Sequence, residues 1–106
     1  MALEEISEKD FEEKVLKSSS LVIVDLWADW CYPCKLIEPY LAEIGEKYGD
    51  KVEIYSLNVD DNPLIAAKFR VVSIPAVLFF KNGKEVERIL GAVPKSEYIK
   101  KVEFHL

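Results

Sequence analysis

The chain has 106 residues and a formal net charge of −5, with 19 acidic against 14 basic side chains. Half of the residues are apolar and 31% are charged, a globular composition that excludes a disordered chain. The acidic balance, with no block of lysines, argues against nucleic acid and anionic membrane as partners, and the longest apolar run, Ile74–Phe80, is far short of the ~20 residues of a membrane-spanning helix. The length predicts one domain over residues 1–106, large enough to bury a core without a disulfide or a metal. The start, Met1-Ala2-Leu3-Glu4-Glu5, lacks the basic and apolar regions of a signal peptide, so the expected address is the cytosol.

Taken in order, residues 2–6 read as a short edge strand. Ser7-Glu8-Lys9-Asp10 resembles a capping box with Ser7 as N-cap. Phe11, Val15 and Leu16 then recur at helical spacing, and Ser18-Ser19-Ser20 closes that helix. Leu21-Val22-Ile23-Val24 is apolar at every position and β-rich, as expected of a central strand covered on both faces. It runs on through Asp25-Leu26-Trp27. Past Cys34 the pattern turns helical, with Leu36/Ile37, Tyr40/Leu41, Ile44 and Tyr48 on one face. Pro39 lies inside this helix, and Gly49 is its stop signal. A second long strand spans 52–59. Asp60-Asp61-Asn62-Pro63 opens a short helix that reaches about Phe69. A strand over 76–80 follows, then Lys81-Asn82-Gly83-Lys84 as a hairpin turn into a strand over 85–90. A last helix carries Tyr98, Ile99, Val102 and Phe104. The order β-α-β-α-β-α-β-β-α predicts an α/β three-layer sandwich on a mixed sheet.

The chain contains two cysteines, Cys31 and Cys34. In a reducing compartment such a pair is expected to be reactive or metal-binding rather than a structural staple. It sits where a buried strand hands over to a helix N-terminus, the usual place for chemistry in open α/β sheets. A Cys31 thiolate there meets unpaired N–H groups and the positive end of the helix dipole, and both lower its pKa below the ~8.5 of a free thiol. Two intervening residues bring Cys34 within reach of a mixed disulfide formed at Cys31. Pro33 suits the first helical turn. The metal reading is thin: tetrahedral zinc takes four ligands, the one histidine, His105, is near the C-terminus, and a closed site would require two chains. An inert buried pair is the other bland reading, and His105 reads as part of a fraying tail.

Asp25 interrupts the apolar strand six residues before Cys31. A lone buried carboxyl is costly and its pKa should rise. Satisfaction by backbone or water would make it structural. Beneath a dithiol, however, it is placed to carry the proton of Cys34. Ser73-Ile74-Pro75 precedes the third long strand, where a proline is unremarkable.

The segments Val24-Asp25-Leu26-Trp27-Ala28-Asp29-Trp30-Cys31, Pro33-Cys34-Lys35, Asn58-Val59-Asp60-Asp61-Asn62-Pro63, Ile74-Pro75, Phe80-Lys81-Asn82-Gly83 and Gly91-Ala92 together resemble the thioredoxin family, over nearly the whole chain. The resemblance implies the thioredoxin fold, a three-layer α/β/α sandwich with a central mixed five-stranded sheet and four helices. It implies a thiol-disulfide oxidoreductase that reduces protein disulfides, with Cys31 as attacking thiol, Cys34 as resolving thiol and Asp25 as the buried proton-transfer carboxylate. Pro75 would be a cis proline facing the dithiol, and the backbone at Ile74 would pair with substrate. Trp30, Ile74, Gly91 and Ala92 would form the docking surface, flanked by Tyr32 and Pro33. The implied partners are disulfide-containing client proteins and a flavin- or ferredoxin-dependent thioredoxin reductase. The chain would work as a monomer, with no cofactor beyond the Cys31–Cys34 dithiol. Two departures stand out. The usual Gly-Pro between the cysteines is Tyr32-Pro33, the reverse of the glutaredoxin dipeptide, so a glutaredoxin-like or more oxidising exchange protein is the alternative. Ser56 takes a position where many relatives carry lysine, which leaves Asp25 with less cationic support. A non-catalytic binding module on the same fold is the remaining alternative.

Overall fold

The computed structural model describes residues 3–106. Its elements are β1 (Glu4–Glu5), α1 (Glu8–Phe11), β2 (Leu21–Trp27), α2 (Tyr32–Tyr48), β3 (Val52–Asn58), α3 (Pro63–Lys68), β4 (Ala76–Lys81), β5 (Lys84–Leu90) and α4 (Lys95–His105). The five strands form one sheet in the order β1-β3-β2-β4-β5. β2 lies parallel to β3 and antiparallel to β4, and β5 returns antiparallel on β4. The sheet is therefore mixed, with β2 at its centre.

Alternation along β2 divides the core. Leu21 and Ile23 pack with Val77, Phe79, Ile37, Leu41, Ile44, Tyr98 and Val102, the side covered by α2 and α4. Val22, Val24 and Leu26 pack with Leu78, Phe80, Phe11, Val15 and Ile65, the side covered by α1 and α3. Each such side chain contributes about 1.5–3 kcal/mol by leaving water. Phe11, Phe69 and Phe80 add an aromatic cluster with centroids 5.2–5.5 Å apart, within the range that favours tilted and edge-to-face pairs.

Local signals place most element ends. At α1 the Asp10 carboxylate receives Ser7 N–H (3.4 Å) and Ser7 Oγ–H (3.2 Å). Gly49 ends α2 at φ +55°. The Asn82-Gly83 turn holds both residues at positive φ, +52° and +80°, as a two-residue hairpin requires.

Several expectations are corrected. The first helix is α-helical only to Phe11; Glu12–Leu16 continues as wider π turns, with Lys17 N–H donating to Glu12 O at 3.0 Å. The first strand pairs only at Glu4 and Glu5, because Ser7 already caps α1; Ala2 lies outside the described residues. β3 ends at Asn58 and α3 at Lys68, each one residue early. Phe104 is 80% exposed. Tyr98 and Val102 share the buried stripe of α4 at i, i+4, and a residue two further on faces the other way. For the same reason Leu36 is exposed while Ile37, Leu41 and Ile44 are buried. His105 is no fraying tail: its ring meets Glu87 at 3.1 Å and its carbonyl accepts from Lys81 Nζ.

Candidate active site

β2 and α2 meet through the loop 28–31. Cys31 is the N-cap of α2, with extended backbone, and its Sγ accepts the N–H of Cys34 at 3.2 Å. Tyr32, Pro33 and Cys34 form the first turn. Proline is tolerated there because an N–H at that level has no intrahelical partner. Cys31 and Cys34 are joined as a disulfide, Cα to Cα 5.4 Å, and both are almost wholly buried. Ala28 packs with them, and Trp27, Val59 and Ile74 close around the three.

The Ile74–Pro75 peptide bond is cis. Pro75 is buried, and its carbonyl accepts Gly91 N–H at 2.9 Å, which ties the end of β5 to the start of β4. Gly91 holds φ +81°, a conformation natural to glycine, and Ala92 beside it is exposed. Trp30 is 70% exposed, and its Nε1–H donates to Asp60 Oδ2 at 2.9 Å. Asp60 N–H is held by Asn58 Oδ1 at 2.8 Å. The loop after β3 thus fixes the indole beside the dithiol. Tyr32 is 69% exposed. The register therefore brings Trp30, Tyr32, Pro33, Ile74, Pro75, Gly91 and Ala92 to the same end of the sheet as Cys31, with Ile74 packed against it. Sequence reasoning missed Val72, which is 95% exposed and lines an apolar groove with Trp30, Val59, Val71 and Ile74. Its place two residues before Ile74 was the available signal.

On the other side of the disulfide lies Asp25, 2% exposed. Its Oδ1 has no hydrogen-bond partner among the described residues. Burial pushes its pKa up from 3.8 to about 7, and the carboxylates of Glu38 and Glu5 push it the same way. A groove of about 380 Å³ reaches Asp25 and is lined also by Cys34, Trp27, Lys35, Glu38, Glu5 and Ser56. Ser56 pairs with Asp25 across the sheet, but its hydroxyl donates to Glu5 Oε1 at 2.6 Å. Glu38 follows Cys34 by one helical turn, so its presence was readable from the i, i+4 spacing. Glu5 had no such signal. No three His, Cys, Asp or Glu side chains among the described residues converge as a metal site.

Chemically this is a dithiol/disulfide couple whose Cys31 sulfur accepts an N–H at a helix N-terminus, with a high-pKa carboxyl and an apolar groove nearby. Comparison with known proteins agrees. The chain is 45% identical over 104 residues to "Thioredoxin M-type, chloroplastic" of Spinacia oleracea, covering 98% of this chain and 58% of that protein. It is 42% identical over 101 residues to the Pisum sativum protein of the same name, covering 95% and 59%. It is 39% identical over 101 residues to "Thioredoxin 1" of Synechococcus elongatus, covering 95% and 94%. The chain thus spans a little under three fifths of the length of the two plant relatives. Residues 2–103 match the family described as Thioredoxin, and with the cysteine pair in its place at the head of α2 the chain belongs to the thioredoxin family.

Proposed function

We propose that this chain reduces disulfides in client proteins by two-electron dithiol exchange. The Cys31 thiolate attacks one sulfur of the client disulfide and the other client sulfur leaves as a thiol, giving a mixed disulfide. Cys34 then loses its proton to Asp25 and attacks Cys31 Sγ. The second client thiol departs, and the Cys31–Cys34 disulfide holds the oxidising equivalents. The observation that carries the reading is the capped sulfur: Cys31 Sγ accepts the Cys34 N–H at the head of α2, so a thiolate there meets donors already in place.

The remaining assignments rest on that chemistry. Trp30, Tyr32, Pro33, Ile74, Pro75, Gly91 and Ala92 receive the client chain around Cys31. A thioredoxin reductase, flavin- or ferredoxin-dependent, restores the dithiol, and no further cofactor takes part. The chain acts as a monomer, away from nucleic acid and membrane; no helix of the described residues is long and apolar enough to cross a bilayer. We place it in a reducing compartment and take the cytosol as the address, in keeping with its likeness over nearly full length to the Synechococcus protein; the plant relatives' names make the chloroplast the competing one.

The test is insulin reduction followed by turbidity in the presence of dithiothreitol. The chain should accelerate precipitation catalytically, and Cys31→Ser should not. A rate equal to dithiothreitol alone would leave the fold as a binding module. The potential of the pair against glutathione then separates a reductase from a more oxidising exchange protein.

A further inference from the structure

The cross-strand registers place Glu5 opposite Ser56, Ser56 opposite Asp25, and Asp25 opposite Val77. These residues form one row across four strands, on the face that α2 covers. Adjacent strands lie about 4.8 Å apart, so Glu5 starts roughly two strand spacings from Asp25 along that row. The serine between them is short, and the groove to Asp25 opens over it.

Glu5 is not a loose surface acid. Its Oε1 accepts Ser56 Oγ–H at 2.6 Å and Trp27 Nε1–H at 3.2 Å. Its Oε2 accepts the backbone N–H of Asn58 at 3.0 Å. Three donors on β2 and β3 thus pin an anion at the mouth of the groove whose floor holds Asp25 and Cys34. From these contacts we propose that Glu5 is a positioning residue for proton transfer, acting on Cys34 through Asp25.

The physics follows from charge and register. A fixed negative charge along the row disfavours a second one at Asp25. Asp25 becomes a stronger base when it is ionised, closer in pKa to the thiol whose proton it takes, and a closer match makes the transfer less uphill. The other groups facing Asp25 are Lys35, Glu38 and Cys34 from α2 and Tyr98 from α4, whose own pKa is raised by burial and further by the Asp25 charge. β3 and β4 present Ser56 and Val77 at the paired positions. Glu38 acts in the same direction as Glu5. Glu5 differs from Glu38 in having its carboxylate held by three donors.

The inference rests on the reductase reading for its purpose but not for its measurement. The experiment is a pH titration of the Asp25 carboxyl carbon by NMR in the reduced protein, for wild type, Glu5→Gln and Glu5→Asp. Glu5 is exposed on a two-residue edge strand, where substitution is tolerated. Glu5→Gln should lower the Asp25 midpoint by roughly half a pH unit, the size expected of a charge roughly two strand spacings away across a partly aqueous gap. Glu5→Asp keeps the charge and should leave the midpoint near the wild-type value. The pH profile of insulin reduction, corrected for the dithiothreitol background, should follow. In Glu5→Gln its acidic limb moves to lower pH, and the rate above that limb falls roughly twofold because Asp25 is the weaker base. An unmoved midpoint in Glu5→Gln overturns the proposal, as does an equal shift in Glu5→Asp or a rate loss uniform in pH. Failure to reduce insulin at any pH with the midpoint shifted would count against the reductase reading and leave the coupling of Glu5 to Asp25 standing.

Discussion

Replacing Asp25 by Asn should make the protein more stable at pH 8 and less active. Asp25 is 2% exposed and has an unpartnered oxygen. Burial, with Glu38 and Glu5, raises its pKa from 3.8 to about 7. Between those two values the native state holds a proton that the unfolded state has released. Stability must therefore fall as pH rises through that window; it is fully present below about pH 4 and lost above about pH 7. The displacement of about three pH units corresponds to about 4 kcal/mol, a ceiling because the groove admits solvent to the site. Asn keeps the shape and cannot ionise. In guanidinium melts, where a chain of this size loses about 3 kcal/mol per molar denaturant, the Asp25→Asn midpoint should exceed wild type by about 1 M at pH 8. At pH 4 the two should nearly coincide. Insulin reduction should slow because Cys34 has lost the base that takes its proton. A variant no more stable than wild type at pH 8, or one with full activity, would make Asp25 a satisfied structural residue and refute the argument.

Other outcomes follow from the same geometry. In the reduced protein iodoacetamide should label Cys31 before Cys34, since the Cys31 sulfur is the one that caps α2; adduct mapping by mass spectrometry checks this, and preferential labelling of Cys34 would reverse the roles. Tyr32→Gly should make the pair more reducing, on the order of 30 mV or about 1.4 kcal/mol between redox states, with little loss of stability because the side chain is exposed; an unchanged potential against glutathione would confine Tyr32 to docking. Gly83→Ala should cost about 1–2 kcal/mol in a denaturant melt, because residue 83 sits at φ +80° and a Cβ there would lie 2.9 Å from the Leu16 carbonyl; an unchanged melt would mean the hairpin shifts freely.

Much of this molecule is legible without coordinates because it is locally encoded. The all-apolar Leu21-Val22-Ile23-Val24 can only be a strand covered on both faces, and β2 is the central one. Asn82-Gly83 tolerates the paired positive φ values of a tight hairpin. Cys31-Tyr32-Pro33-Cys34 at a strand-to-helix junction already implies a capped sulfur and a second thiol one turn on. Each of these signals lies within a few residues, where backbone sterics and hydrogen-bond geometry act directly. The surroundings of Asp25 were decided otherwise. Glu5 reaches it through pairings with residues 51 positions away, and no periodicity in the sequence states that register. The same holds for His105 on Glu87 and for Val72 beside Trp30. Strand register follows from which faces the whole sheet must bury against its helices, so only the assembled tertiary structure determines which charges a buried carboxyl will face.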